Sequence, residues 1–447
     1  MKKIFVLLIA LAMVAGVFTA CAKTNVNEAP ASENPAEEPS APADETTGGS
    51  HELSVWLWDM GFNGATMESA ANIYKQTDPD FVLNIIDQGD WDTVQTQLTT
   101  IASSGDFSQL PDIMLIQDNA FQKNYTSFPD VFTDLTDTVI DFSQFAAGKT
   151  GYSVVDGKNY GVPFDNGAVI YGYRTDVLDE AGYTIDDFTD ITWSTWNDQA
   201  KDVLAKTGKP LLSAQAGSSD IINMMLQSAG ASLFDENGDA YIADNDVLYK
   251  VADEYIEMLS DGTCVECTDW SGYTDSFTSG AVAGTMTGCW IAATIQSAED
   301  QAGLWKITNM PKLDDVASAT NYSNNGGSSW MVTANCADVD LAADFFLKTF
   351  GGSTELYDSV ASAGVLATYL PAADSDVYSQ PNDFFGGQPI MALITEFAGH
   401  VPAINGGAYY YDARDAVCTA IVQIQSGAEP QTAFQEAEDT VNFLMGK

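Results

Sequence analysis

The chain has 447 residues, with 63 Asp and Glu against 17 Lys and Arg, and a formal net charge of -46 at pH 7. Its hydrophobic content of 45% and aromatic content of 11% exclude a disordered acidic protein, because disorder goes with low hydrophobicity and few aromatic residues. The charge argues against nucleic acid as a partner, since phosphate binding requires a basic surface. The chain has two histidines, His51 and His400, so neither a His-rich metal site nor a His-based catalytic triad is expected.

Residues 1–21 are predicted to be an export signal. Two lysines precede an apolar or small-residue run over residues 4–20, which ends at Cys21, and small residues before the cysteine suit cleavage. The sequence FTAC at 18–21 resembles the bacterial lipobox, with Phe18 where Leu is usual. This resemblance implies that residues 1–20 are removed and that Cys21 becomes lipid-modified. The alternative is an ordinary secretory signal followed by an unrelated cysteine.

Residues 21–50 are predicted to be a disordered tether. After Cys21 they contain four prolines, many glutamates and no aromatic residue, so they cannot bury enough surface to fold. Behind a lipid anchor, such a segment would hold a folded domain away from a membrane. We therefore expect an extracytoplasmic protein anchored to the cell membrane, on the surface of a Gram-positive cell.

The folded part is predicted to be α/β, because short apolar runs alternate with amphipathic stretches from residue 52 onward. In the first part of the chain, strand and helix alternate, which predicts a doubly wound lobe. Here strands are predicted over residues 53–58, 81–86 and 111–116, and helices over 65–76 and 91–103. Further helices are predicted over residues 196–207, 248–260, 345–350 and 431–444.

Residues 234–239 (FDENGD) have the look of a calcium loop. An EF-hand loop needs a Glu at its twelfth position, and here that position is Asp246. A hairpin turn on Asn237 and Gly238 is favoured instead.

The cysteines other than Cys21 leave two alternatives open. Cys264 and Cys267 form a CxxC pair, and no second such pair is present, so zinc is not expected. In an exported protein, a local disulfide and two free thiols both remain possible. Five cysteines remain, Cys264, Cys267, Cys289, Cys336 and Cys418, and five is odd. At least one thiol is therefore free unless it pairs between molecules.

Several short motifs occur in an order typical of one protein family. They are ASSG at 102–105, LPDI at 110–113, DGKNYGVP at 156–163, YGYRTDVL at 171–178, TWSTW at 192–196, FTSGAVAGTM at 277–286, GCW at 288–290 and GAYYYDAR at 407–414. In this order the chain, from about residue 52 to its end, resembles the extracellular solute-binding proteins of ABC importers. It is most similar to their sugar-binding cluster, which includes maltose-binding protein.

The resemblance implies a fold and partners. The fold would be two α/β lobes, each with a doubly wound sheet, joined by two or three crossing segments around a ligand cleft. Lobe one would comprise residues 51–165 and 322–367, and lobe two residues 166–321 and 368–447. The partners would be a carbohydrate ligand and the transmembrane subunits of an ABC permease. We expect a monomer with no cofactor and no catalytic activity.

A carbohydrate site needs flat aromatic walls with carboxylate and amide groups at the rim. Trp58 and Asp59 lie at the C-terminal end of the first predicted strand, and Asp118 follows the third. Core packing is the alternative for Trp58, and a helix N-cap is the alternative for Asp118. The resemblance places Asp165 and Asn166 at the first crossing between the lobes.

The resemblance also suggests aromatic ligand contacts. Trp290 matches the tryptophan of the family's GPW turn, which is a stacking platform. Tyr410, Tyr411 and Arg414 match the aromatic helix that lines the ligand site. Consecutive tyrosines cannot all face one way on a helix, so at least one of them packs elsewhere. Trp330, behind a glycine-rich stretch, has two alternatives, cleft and core.

Other functions remain as alternatives. Within the binding class, the ligand could be a peptide or a polyamine. Carboxylates beside aromatic residues would also suit a surface glycoside hydrolase, and an adhesin is a third class. The sequence has no GxSxG, P-loop or HExxH motif, which disfavours the enzymes that those motifs mark.

Overall fold

The computed structural model describes residues 51–216, 220–373 and 375–447. The predicted signal (1–20), the predicted tether (21–50) and Cys21 lie outside the described residues. Within the described ranges, the helices are all too short or too polar to cross a membrane.

The described chain alternates strands and helices, as the hydrophobic pattern predicts. The strands are β1 Glu52–Leu57, β2 Val82–Asp87, β3 Ile113–Gln117, β4 Val154–Val155, β5 Lys158–Asn159, β6 Gly161–Pro163, β7 Val169–Arg174, β8 Leu212–Gln215, β9 Cys264–Cys267, β10 Gly284–Gly288, β11 Trp305–Thr308 and β12 Ser328–Val332. The helices are α1 Ala65–Tyr74, α2 Trp91–Ser104, α3 Asp118–Ser127, α4 Ala147–Thr150, α5 Thr175–Ala181, α6 Trp193–Thr207, α7 Asp220–Ser228, α8 Asp246–Ser260, α9 Trp270–Thr278, α10 Ile291–Gln296, α11 Val339–Lys348, α12 Thr354–Val360, α13 Ile390–Ala398, α14 Tyr410–Gln425 and α15 Pro430–Leu444.

The first lobe is built on a five-stranded sheet with the order β2-β1-β3-β12-β6. Strands β1, β2 and β3 are parallel, with Val55 opposite both Ile85 and Ile113. Successive side chains of a strand point to opposite faces. Val55 and Leu57 accordingly join one apolar cluster, and Trp56 joins a second one on the other face. Helices α1 and α2 connect these three strands, as predicted.

The second lobe differs from the doubly wound sheet that the resemblance implies for each lobe. Its main sheet has the order β10-β7-β11, and β7 is antiparallel to both neighbours. Strands β8 and β9 form a separate parallel pair. The physical reason lies in the connections between the strands. Neighbouring strands run parallel when a crossover helix joins the end of one to the start of the next, whereas β7 enters the sheet directly from the first lobe. The same holds for β12, which enters from the second lobe and is antiparallel to β3 and β6.

Two crossing segments lie side by side between the lobes. The first crossing segment (164–168) leads from β6 into β7, and the second (324–327) leads back into β12. They are held together by the N–H of Asn325, which donates to the carbonyl of Gly167 at 2.7 Å, and by an antiparallel bridge between Ala168 and Asn324. A Cβ on Gly167 would lie 2.2 Å from the Asn325 carbonyl oxygen, so glycine is required at this close approach.

A third segment passes between the lobes near residues 361–372. Ala361 and Leu366 pack in a core of the second lobe. Val365 and Ala372 pack in a core of the first lobe. Side chains of this segment therefore alternate between the two cores.

The structure confirms most of the predicted helices and turns and corrects the bounds of others. The hairpin on Asn237 and Gly238 is confirmed, with a bridge between Phe234 and Ala240 on either side of it. The helix predicted over 345–350 instead begins at Val339, where the Asp338 side chain accepts from the N–H of Leu341 at 2.9 Å. N-capping of this kind offsets an unfavourable helix start.

The cysteines resolve one open alternative. Cys264, Cys267, Cys289, Cys336 and Cys418 are all free thiols in the structure. Cys264 and Cys267 begin and end β9. Because side chains three positions apart on a strand point to opposite faces, the two thiols cannot meet while β9 is intact. Of the two alternatives left by the sequence, the structure has the free thiols.

Candidate ligand-binding cleft

A cluster of buried charged residues lies at the start of the first crossing segment. It consists of Asp118, Lys149 and Asp165, and the Lys149 ammonium group is paired with the Asp118 carboxylate. Lys149 also donates to the Ser328 carbonyl at 2.8 Å. The Asp165 carboxylate accepts from the N–H of Ser328 at 2.7 Å. Ser328 begins β12 and thereby ties the cluster to the second crossing segment.

Glycines allow the second crossing segment to approach this cluster. Gly326 and Gly327 have φ of 96° and 105°, which favours glycine. A Cβ on Gly327 would lie 2.8 Å from an Asp118 carboxylate oxygen. A Cβ on Gly326 would lie 3.3 Å from the Trp290 indole nitrogen. The segment therefore lies between the charge cluster and Trp290.

Trp290 lies in the second lobe at the turn that ends β10. Its indole N–H donates to the Asn325 carbonyl at 3.0 Å, and its half-buried ring lies 5.7 Å from the Trp270 ring. Asn166 is half-buried on the first crossing segment, and its carbonyl accepts from the Cys289 thiol at 3.1 Å. Asn166 is thus hydrogen-bonded to the residue that precedes Trp290, and both lie where the crossing segments meet the second lobe.

The N-terminal turn of α14 carries Tyr410, Tyr411 and Arg414. The Arg414 guanidinium carbon lies 5.6 Å from the centre of the Tyr410 ring and 5.2 Å from that of Tyr411, within the range of cation–π attraction. The same guanidinium group pairs with Asp220 at the start of α7. The Tyr410 and Tyr411 rings make an angle of 85°, so they face different directions.

Trp58 and Asp59 lie on the first-lobe side of the cleft. The half-buried Trp58 ring contacts the Trp91 ring edge-on at 5.5 Å, and Trp91 lies 6.5 Å from Tyr411 of the second lobe. Asp59 caps the π-helical turn Met60–Gly64, accepting from the N–H groups of Gly61 and Phe62. Burial raises the pKa of Asp59, and these two hydrogen bonds oppose the rise. Its role is partly structural.

Two further contacts join the lobes directly. The Tyr411 hydroxyl donates to the Gln117 side chain at the end of β3. The Lys123 ammonium group of α3 lies 2.6 Å from both carboxylate oxygens of Asp412 on α14. The described conformation is therefore one in which the two walls of the cleft touch.

Three of the predicted contact residues differ from the expectation. Trp330 is 0% exposed and packs between Phe164 and Phe350 in the first-lobe core. The prediction of a cleft position for Trp330 is corrected to the core alternative, because β12 is a central strand with both faces covered. Asp118 and Asp165 are 3% and 4% exposed, so in this conformation protein groups rather than solvent surround them.

Several cleft residues were missed from the sequence. They are Trp91, Lys149, Tyr152, Asp220 and Trp270. Burial raises the pKa of Tyr152 to about 12, and the charges of Asp118 and Tyr410 add to that rise. Trp91 and Trp270 are each the first residue of a helix. This position is a sequence signal from which a place at the cleft could have been predicted. Lys149 and Tyr152 carry no comparable sequence signal.

The assembled cleft has aromatic surfaces from both lobes with charged groups between them. Next to it, a small pocket includes Gln215, Asp220 and Trp270 in its wall. Flat rings can pack on apolar C–H faces, and carboxylate and amide groups can bind hydroxyls. The arrangement can hold a polar ligand that has apolar faces.

The fold and the cleft define a two-lobe binding protein of α/β type. Residues 69–386 match the family described as bacterial extracellular solute-binding protein. A lactose-binding protein of Rhizobium radiobacter is 35% identical over 389 residues, which are 87% of this chain and 92% of that protein. The chain belongs to the bacterial extracellular solute-binding protein family.

Solved structures agree with this fold. The GacH receptor of Streptomyces glaucescens, solved unliganded and with acarbose, matches with a TM-score of 0.75 at 15% identity, covering 89% of this chain and 98% of that one. A binding protein associated with an ABC transporter of B. animalis subsp. lactis, solved with β-1,6-galactobiose, matches with a TM-score of 0.74 at 19% identity, covering 89% and 97%. At these identities the likeness concerns the fold.

Proposed function

We propose that this protein captures a mono- or oligosaccharide between its two lobes and delivers it to an ABC permease. The observation that carries the proposal is the placement of aromatic rings on both walls of one cleft, with Trp58 and Trp91 on the first lobe and Trp290 and Tyr411 on the second. Stacking on sugar faces needs such rings, and hydroxyl recognition needs the polar groups between them. The lactose-binding relative supports the same ligand class.

The direct ligand contacts are part of the proposal. The direct contacts would be Trp58, Asn166, Trp290, Tyr410 and Tyr411, whose side chains are half-buried rather than enclosed. Asp59 and Arg414 are half-buried as well. Arg414 orients the two tyrosines through its position over both rings. Asp59 and Asp118 contribute charge near the first-lobe wall. Binding is the output, and the ligand leaves chemically unchanged.

Anchoring and domain limits are also proposed. The lipidated Cys21 and the tether over 21–50 would hold the two lobes at the outer face of the membrane, near the permease. The lobes would comprise 51–165 with 322–367 and 166–321 with 368–447. Packing of Ala372 in the first-lobe core supports moving the last limit a few residues later.

A thermal-shift panel tests the proposal. The panel contains lactose, β-1,6-galactobiose, maltose and acarbose, with a tripeptide mixture and spermidine as the competing ligand classes. At least one sugar should raise the melting temperature, because a ligand that binds only the folded state stabilises it. Chromatography of the sugar afterwards should recover it uncleaved. Stabilisation by the peptides or spermidine alone would favour another solute, and cleavage would favour a glycoside hydrolase.

A further inference from the structure

Three charged side chains of the first lobe are enclosed together. Asp118, Lys149 and Asp165 are 3%, 7% and 4% exposed. They come from the start of α3, from α4 and from the first crossing segment. The cluster holds two carboxylates and one ammonium group, which is ion-paired with Asp118. Lys149 and Asp165 are linked through Ser328, whose carbonyl accepts from Lys149 and whose N–H donates to Asp165. Buried carboxylates without a cation are strongly disfavoured.

The hydrogen bonds of the two carboxylates differ. Both oxygens of Asp118 are used, one by the Lys149 ammonium group and the other by the Ser329 hydroxyl at 2.9 Å. Asp165 accepts from the N–H of Ser328 through Oδ1. Within the described ranges, Asp165 Oδ2 has no hydrogen bond from another residue. Asp165 therefore keeps an acceptor position that a ligand hydroxyl could fill.

The surroundings of Asp165 place it near the ligand platform. Burial raises the pKa of the Cys289 thiol, and the Asp165 carboxylate adds to that rise. Cys289 precedes Trp290 in the chain. Burial also raises the pKa of Asp165 itself to about 6, a rise that Lys149 opposes and Asp118 increases. The charged and titratable groups around this cluster are thus Asp118, Lys149 and Cys289, with Tyr152 and Tyr411 near Asp118.

We propose that Lys149 is a positioning residue for carbohydrate binding. Its ammonium group holds Asp118 in place and keeps Asp165 ionised, so that Asp165 Oδ2 accepts a hydrogen bond from a ligand hydroxyl. An ionised acceptor gives a stronger hydrogen bond than a protonated one. The inference rests on the proposed function and adds to it a residue that does not itself touch the sugar.

The first test is the pH profile of affinity, measured by calorimetry between pH 5 and pH 8 with the panel sugar that binds most tightly. Wild-type affinity should fall as the pH drops through about 6, because Asp165 becomes protonated there. In Lys149→Met the midpoint of this fall should move up by about one pH unit or more, as expected when a nearby opposite charge is lost. Lys149→Arg retains the charge and should keep the wild-type midpoint.

The matched variant is Asp165→Asn, which removes the titrating group. It should bind weakly and lose the fall near pH 6. An unmoved midpoint in Lys149→Met would overturn the proposal. Since loss of Lys149 could also prevent folding, Asp165→Asn provides a second criterion, and a retained fall near pH 6 in this variant would equally overturn it.

A ligand-free arm separates the two proposals. Because the folded pKa of Asp165 lies above its unfolded value of about 3.9, its stabilising contribution is present below pH ~4 and is lost as the pH rises through about 6. The stability difference between the wild type and Asp165→Asn should change over that window. With Lys149→Met as the background, the change should extend to higher pH. An identical window in both backgrounds would refute the role of Lys149, whereas absence of sugar binding with a shifted window would refute only the carbohydrate ligand.

Discussion

The Lys123 ammonium nitrogen lies 2.6 Å from each carboxylate oxygen of Asp412 and so joins the two lobes across the cleft. Lys123 lies on α3, which packs in the first lobe through Phe121. Asp412 lies on α14, which packs in the second lobe through Ala413 and Val417. Closure of two-lobe binding proteins is a hinge motion around the ligand, and this pair exists only when the walls touch. It should therefore contribute to ligand affinity.

Replacing Lys123 with Met should weaken sugar binding roughly two- to fivefold, because partly exposed ion pairs contribute about 0.5–1 kcal/mol. The Lys123 side chain is 42% exposed, so salt should screen the pair. Calorimetry at low and high salt would measure both effects, and the loss should shrink at high salt.

Lys158→Met is the matched control. Lys158 pairs with Asp134 at 2.8 Å, and both residues belong to the first lobe. Breaking this pair should leave the affinity unchanged. Equal losses in the two variants would contradict a specific role for the cross-cleft pair.

Trp290→Ala should reduce sugar affinity at least about 30-fold, since truncating an aromatic anchor of a binding site costs roughly 2 kcal/mol or more. The ring is half-buried and hydrogen-bonded to Asn325. Trp290→Phe keeps an aromatic face but loses this hydrogen bond, and its affinity should lie between those of the wild type and Trp290→Ala. Circular dichroism would verify that both variants fold. Wild-type affinity in folded Trp290→Ala would remove this residue from the site.

Trp330→Phe should have the opposite profile. The Trp330 side chain is enclosed by Phe164 and Phe350, so reducing its volume leaves a cavity. We expect a loss of about 0.5–3 kcal/mol in the free energy of unfolding, with sugar affinity close to wild type. Urea unfolding and calorimetry on the same preparation would measure both. A large loss of sugar affinity without destabilisation would contradict this prediction and indicate that Trp330 contacts the ligand.

Gly327→Ala should destabilise the protein more than Gly157→Ala. Both glycines have positive φ, 105° and 78°, and an alanine there costs about 1–2 kcal/mol. A Cβ on Gly157 meets no atom within 4 Å, whereas one on Gly327 would lie 2.8 Å from Asp118. The difference between the two urea midpoints reports this crowding. Equal midpoints would mean that the second crossing segment adjusts freely.

Local elements of the fold could be predicted from the sequence because their signals are local. The helix predicted over 91–103 is Trp91–Ser104 in the structure, with Asp90 as its N-cap. The hairpin at Asn237 and Gly238 depends on two adjacent residues, so it could also be predicted from the sequence. The antiparallel course of β7 was missed, since it depends on where the preceding segment enters the lobe.

Only part of the candidate site could be predicted from the sequence. Trp290 and Tyr411 carry motifs that place them at the cleft. Lys149 is 31 residues from its partner Asp118, and no periodicity links residues so far apart. The position of Trp330 depends on packing with Phe164 and Phe350, which only the folded sheet brings together. Long-range pairing therefore limits what the sequence alone can assign.

Calorimetric titration of the wild-type protein with lactose, β-1,6-galactobiose, maltose and acarbose tests carbohydrate capture most directly. We predict saturable binding of at least one of these sugars at one site per chain, with affinity lost in Trp290→Ala. Absence of heat with every sugar, together with saturable binding of a peptide or of spermidine, would contradict it.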